Sequence, residues 1–240
     1  MNDTMTITPV NVRRYTLVRN IVAVWLTAVV LGAFLLDIPK LVMLEHTARN
    51  LYFHVPMWFA MLAAAGIGGY HAARYLKTGA IIHDLRSREA ARLGVIFGLL
   101  GLLTGMLWAR FTWYESAGIW WNFDPKQTMA AVGLLIYGAY FVLRSSLEDE
   151  EKRARLSAVY HLFAAVTLPF LLYVIPRQYD TSLHPGAEGN PAFSEITYWK
   201  MRFVLYPAFA GFIALMWVLY TQRVRIALAH LRLHGETDED

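Results

Sequence analysis

The chain of 240 residues contains no cysteine. That excludes disulfides, thiolate metal sites, iron–sulfur clusters, a cysteine nucleophile and electron transfer through a CxxC pair. Charge is also scarce. Asp, Glu, Lys and Arg make up 17% of the residues against 57% hydrophobic, and the mean hydropathy is +0.37. A soluble domain of this size carries more charge, and long runs this poor in charge belong in a bilayer. The net charge of +4 is therefore a matter of membrane orientation before it is a nucleic-acid signal. The long apolar runs hold almost no carboxylate, since Asp37 and Glu115 stand at or beyond their ends. An ion channel or secondary transporter needs such groups within its spans. No long internal repeat is visible either, which counts against an inverted-repeat transporter.

What is present is six apolar stretches, at about 19–36, 52–75, 91–111, 127–146, 157–176 and 199–221. Each is close to the ~20 residues a helix needs to cross. The expected fold is an all-α integral membrane protein, one six-helix domain over 1–240. The first run is long for a signal peptide and no small-residue cleavage site follows it. With the N-terminus in the cytoplasm, only seven of the 22 lysines and arginines (Lys40, Arg49, Arg110, Lys126, Arg177, Lys200 and Arg202) face outward. Positive charge collects on the cytoplasmic side, so both termini are expected there. The outer side then holds the connections 37–51, 112–126 and 177–198. The last is rich in Pro and Gly and reads as a run of turns.

The chemistry-bearing residues gather on that outer side. His54, in "YFHVP", opens the second apolar run, and Pro56 suits an early helical position. His184, in "SLHPG", lies in the third outer connection, where turns can project a side chain. An aromatic belt at the membrane interface explains Trp25, Trp108, Trp199 and Trp217. It explains Trp113, Trp120 and Trp121 less well, because they share one short connection with Phe111, Tyr114 and Phe123. Such density suits a platform for a large flat apolar ligand. Arg49, Arg110, Lys126 and Arg177 are cations for its acidic groups. A planar apolar molecule with two carboxylates and an affinity for imidazole is haem. Gly94, Gly98, Gly101 and Gly105 form one small-residue stripe, the mark of close helix packing. A b-type electron-transfer cytochrome is the alternative. It wants facing histidines within the membrane, and only His161 lies well inside a span.

"WWNFDPKQT", with a histidine before it and another in the next outer connection, resembles the tryptophan-rich (WWD) haem-handling family of cytochrome c biogenesis, the CcmC/CcsA family. Size and six spans are similar to its short C-type branch. Two departures stand out. Asn122 and Phe123 precede Asp124 where small members commonly have more tryptophan, and Lys126 stands where many have arginine, so a point charge replaces a fork. The resemblance implies non-covalent haem b on the periplasmic side of the bacterial inner membrane. His54 and His184 would be its axial ligands. Trp113, Trp120, Trp121 and Asp124 would carry the signature, and Arg49 and Lys126 would be the cations. It also implies delivery to a periplasmic haem chaperone (CcmE-type), beside an ABC transporter pair (CcmA/CcmB-type) and a small single-span protein (CcmD-type). No covalent chemistry is asked of the chain itself, so an enzyme is not expected. Of the two ligands, His184 on a loop is the one expected to release and His54 on a helix the one expected to stay.

Overall fold

Six helices are long and apolar enough to cross a membrane, and no strand occurs among the described residues. The structure is a computed structural model that describes residues 12–38, 45–112, 118–179, 182, 184 and 198–235, with only the backbone at 45, 46, 234 and 235. The helices are α1 (Val12–Leu35), α2 (Leu51–Thr78), α3 (Ile81–Thr112), α4 (Pro125–Ser145), α5 (Glu150–Pro169) and α6 (Trp199–Gly235). A 3₁₀ turn, Glu45–Asn50, leads into α2. After α5 the chain widens into a π-helical turn, Phe170–Val174, and tightens into a 3₁₀ turn, Ile175–Gln178. Pro169 and Pro176 flank that change; each lacks an N–H and so disrupts the α-helical ladder.

Local chemistry sets the ends. Asp124 caps α4 by accepting from the amides of Lys126 and Gln127, and Pro125 follows at the position where its missing N–H costs nothing. Asp149 caps α5 through the Lys152 amide at 2.7 Å. Gly79 closes α2 in the left-handed region, with φ of 69°. Pro56 differs from expectation. Helix α2 starts five residues before it, so Pro56 lies inside the helix. It leaves the Tyr52 carbonyl without its usual amide partner.

Helix α2 is the hub, packing on α3, α5 and α6, while α1 leans on α6 and α4 packs on α3 and α5. The glycine stripe of α3 is the groove into which α2 fits. A methyl group on Gly98 would lie 2.5 Å from Met61 Sδ, one on Gly101 2.8 Å from Trp58 Cε2, and one on Gly105 2.8 Å from His54 Cε1. Residues 54, 58 and 61 of α2 thus answer 105, 101 and 98 of α3, knob by hole. Large apolar side chains such as Leu135, Phe163 and Phe203 face outward, as a lipid-facing surface requires.

Helix α3 begins ten residues before the stretch expected from hydropathy, and this brings two carboxylates into the bundle. Asp84 is buried against Arg144 of α4, Nη1 donating to Oδ1 at 2.7 Å and Nη2 to Oδ2. Glu89, 1% exposed, accepts from Arg88 at 3.0 Å, from Arg92 at 2.7 Å and from Arg223 of α6 at 2.7 Å. Charges at such positions persist because each is paired. His161 is fully buried beside them, with Nδ1 2.8 Å from Ser87 Oγ.

Candidate functional site

At the opposite end of α3 from Asp84 and Glu89, His54 lies in the first turn of α2 and is buried. Its Nδ1 is 3.0 Å from the Gly101 carbonyl oxygen and 3.1 Å from Thr104 Oγ1. A carbonyl can only accept, so Nδ1 carries the ring proton and Nε2 keeps its lone pair. Gly105 leaves the room in which the ring sits. Two indoles wall it edge-on, Trp58 with ring centres at 6.2 Å and Trp108 at 5.8 Å. Trp108 is itself held by Nε1 donating to Thr47 Oγ1 at 3.1 Å. Asn50 Nδ2 donates to the Thr104 carbonyl at 3.0 Å and ties the entry of α2 to α3.

The second histidine arrives from a distant segment. The His184 ring centre is 6.4 Å from that of His54, with the planes tilted by 37°. Asp124 fastens the His184 segment to the start of α4. Its Oδ1 accepts from the α4 amides, and its Oδ2 accepts from Ser182 Oγ at 2.9 Å. The same Ser182 oxygen accepts the His184 amide at 3.3 Å. Lys126, two residues after Asp124, places Nζ 3.3 Å from His184 Nδ1.

The other expected residues divide. Arg49 uses Nη1 to bind the carbonyls of Ala33 and, at 3.0 Å, Leu36, and so closes the C-terminal end of α1. A ligand carboxylate would have to meet its remaining nitrogens. Arg110 stacks its guanidinium over Trp120, 5.1 Å from the ring centre. Trp121 packs edge-on to Phe123 at 6.3 Å. Neither Trp120 nor Trp121 stacks on His54 among the described residues, and Trp113 lies outside them. The departure at Asn122 and Phe123 has a local cause. Asn122 Oδ1 accepts the Asp124 amide at 3.2 Å, an Asx turn, and Phe123 between them takes a φ of 59°. A bulky residue there is strained. Gln127 steadies the turn, accepting the Asn122 amide at 3.4 Å and donating to the Trp120 carbonyl at 3.2 Å.

Trp108, assigned to the interfacial belt from sequence, also walls the His54 pocket. Thr104, Gly101 and Ser182 were not foreseen in the site at all. Register could have found part of this: residues 101, 104, 105 and 108 share one face of α3 at helical spacing.

A multi-pass membrane protein that brings two imidazoles together at one end of an apolar bundle is the class these features define. The comparisons narrow it. The family model described as "Heme exporter protein C" matches residues 5–238, and the chain belongs to that family. It is 28% identical over 194 residues to the heme exporter protein C of Paracoccus denitrificans, covering 78% of this chain and 76% of that one. To the heme exporter protein C of Escherichia coli it is 26% identical over 184 residues, 74% of this chain and 69% of that one. A more distant likeness joins it to the cytochrome c biogenesis protein CcsA of Prochlorococcus marinus, 30% identical over 114 residues, 43% of this chain and 35% of that one. The protein's role is haem handling for cytochrome c maturation.

Proposed function

We propose that the protein holds non-covalent haem b at the periplasmic face of the bacterial inner membrane, with His54 and His184 as axial ligands, and passes it to a CcmE-type chaperone. CcmA/CcmB-type transporter subunits and a CcmD-type protein act beside it. Haem is cargo here, and no bond of it is altered by this chain. The observation that carries the proposal is the meeting of two imidazoles from separate segments with ring centres 6.4 Å apart. Two imidazoles sharing one metal atom at about 2 Å from each nitrogen have ring centres roughly 6 Å apart, so the donor pair fits. His54 fits further because its Nδ1 is already committed to a carbonyl, the usual second partner of a metal-bound histidine.

The division of labour follows from the anchors. His54 stands on a helix, with Gly101, Thr104 and Gly105 fixing its ring, and acts as the permanent ligand. His184 hangs from a segment fastened through Ser182 to Asp124 and acts as the ligand that lets go. Trp58 and Trp108 pack edge-on against the His54 ring and help to shield it from water. The excess of Lys and Arg on the other side of the bundle supports the periplasmic placement. Co-purification of the protein with a periplasmic haem chaperone, with and without haem, tests the function. Capture is expected to need haem and to weaken in His184→Ala and Trp121→Ala; capture indifferent to haem and to both changes contradicts it.

A further inference from the structure

The two histidines stand in opposite tautomers. His54 donates from Nδ1 to the Gly101 carbonyl and keeps the Nε2 lone pair. His184 is reversed. The group facing its Nδ1, at 3.3 Å, is the Lys126 ammonium, which has donors only. His184 Nδ1 is therefore the acceptor, and the proton of the neutral ring sits on Nε2. Neither nitrogen can bind a metal in this state. The lone pair of Nδ1 is engaged by Lys126, and that of Nε2 is bonded to hydrogen. Whichever nitrogen His184 offers, Lys126 must first move away.

We infer that Lys126 is a latch on His184 and that a carboxylate of the arriving ligand opens it: the ammonium leaves Nδ1 for the carboxylate, and only then does His184 coordinate the iron. The inference rests on the reading of His54 and His184 as the iron's ligands and adds the order of events at that site. The exchange is favourable because an ammonium–carboxylate contact is stronger than an ammonium–imidazole one. Lysine suits the task, since its compact charge on a flexible stem can turn between two acceptors without the fixed geometry of a guanidinium. If His184 then offers Nδ1, its proton stays on Nε2; if it offers Nε2, one proton leaves that nitrogen for solvent and one arrives at Nδ1, and in both cases the ring stays neutral. The main chain does not have to travel. Ser182 and Asp124 keep His184 beside the first turn of α4, and the His54 ring is 6.4 Å away. By linkage, carboxylate binding and His184 coordination each strengthen the other by the same factor. The site thereby selects for a porphyrin with free carboxylates at the coordination step as well as at first contact.

The test uses the full-length protein in detergent with two probes, ferric protoporphyrin IX and its dimethyl ester, read by visible absorption and electron paramagnetic resonance. Wild type is expected to give a six-coordinate low-spin iron with the acid and a five-coordinate high-spin iron with the ester. Lys126→Met is expected to make the ester six-coordinate, raising its six- to five-coordinate ratio by about ten- to a hundred-fold, the worth of a hydrogen bond to a charged group. Its six-coordinate spectrum with the acid shows that the variant is folded. Lys126→Arg restores a donor and is expected to restore the difference between acid and ester. A wild-type ester complex already six-coordinate, or a Lys126→Met ester complex still five-coordinate, overturns the latch while leaving the two ligands in place. An acid spectrum unchanged by both His54→Ala and His184→Ala overturns the ligand reading and the latch with it.

Discussion

A single methyl group on Gly105 tests how the His54 pocket works. An alanine there would put Cβ 2.8 Å from His54 Cε1. Carbon atoms settle at about 3.5–4.0 Å, so the ring must withdraw by roughly 0.7 Å or more. Gly105 and the Gly101 carbonyl lie on the same helix, and a ring pushed away from one is pushed away from the other. The Nδ1···O distance, 3.0 Å in the structure, would lengthen to about 3.7 Å, beyond a hydrogen bond. Overpacking of this kind costs about 1–3 kcal/mol. The better helix propensity of alanine offsets about 1 kcal/mol of that. The larger effect falls on the ligand, since losing the outer partner of a metal-bound histidine typically weakens binding about 10- to 100-fold. Haem titration of purified Gly105→Ala should show that loss. Gly66→Ala is the control: it lies on α2 with no atom within 4 Å of the added methyl, and it should bind haem as wild type does. Equal affinity in Gly105→Ala and Gly66→Ala would refute the pocket described for His54.

Asp124→Ala removes both the cap of α4 and the tie to Ser182. The cap is worth about 0.5–2 kcal/mol, so the melting temperature should fall modestly, while limited proteolysis between 179 and 184 should speed up sharply; unchanged cleavage would show that the tie does not hold the segment. Arg144→Met strands Asp84 in the bundle and should destabilise the protein by about 3–5 kcal/mol. Arg144→Met combined with Asp84→Leu should recover most of that loss in detergent unfolding, and a double variant as unstable as the single would contradict the pairing.

Much of the architecture was legible because it is written locally. The six apolar runs and the glycine stripe of α3 are each set by neighbours in sequence. The start of α3 was not. Asp84 and Glu89 look like residues outside a membrane helix until Arg144, 60 positions on, and Arg223, 134 positions on, are seen to neutralise them. The site divides the same way. His54 and His184 could be chosen one by one, from a helix start and a turn-rich connection. That Trp108 serves His54, that Asp124 reaches Ser182 and that Lys126 faces His184 are long-range facts. The last two join positions 58 apart, which periodicity cannot see. Arg49 shows the converse, since its approach to the end of α1 depends on how the 3₁₀ turn before α2 lies against that helix.

Bis-histidine coordination is the central claim, and electron paramagnetic resonance of the purified, haem-loaded protein tests it most directly. The expected result is a low-spin ferric signal in wild type that becomes high-spin in His54→Ala and in His184→Ala alike, with haem lost more readily from the first. A low-spin signal that survives either substitution would contradict it.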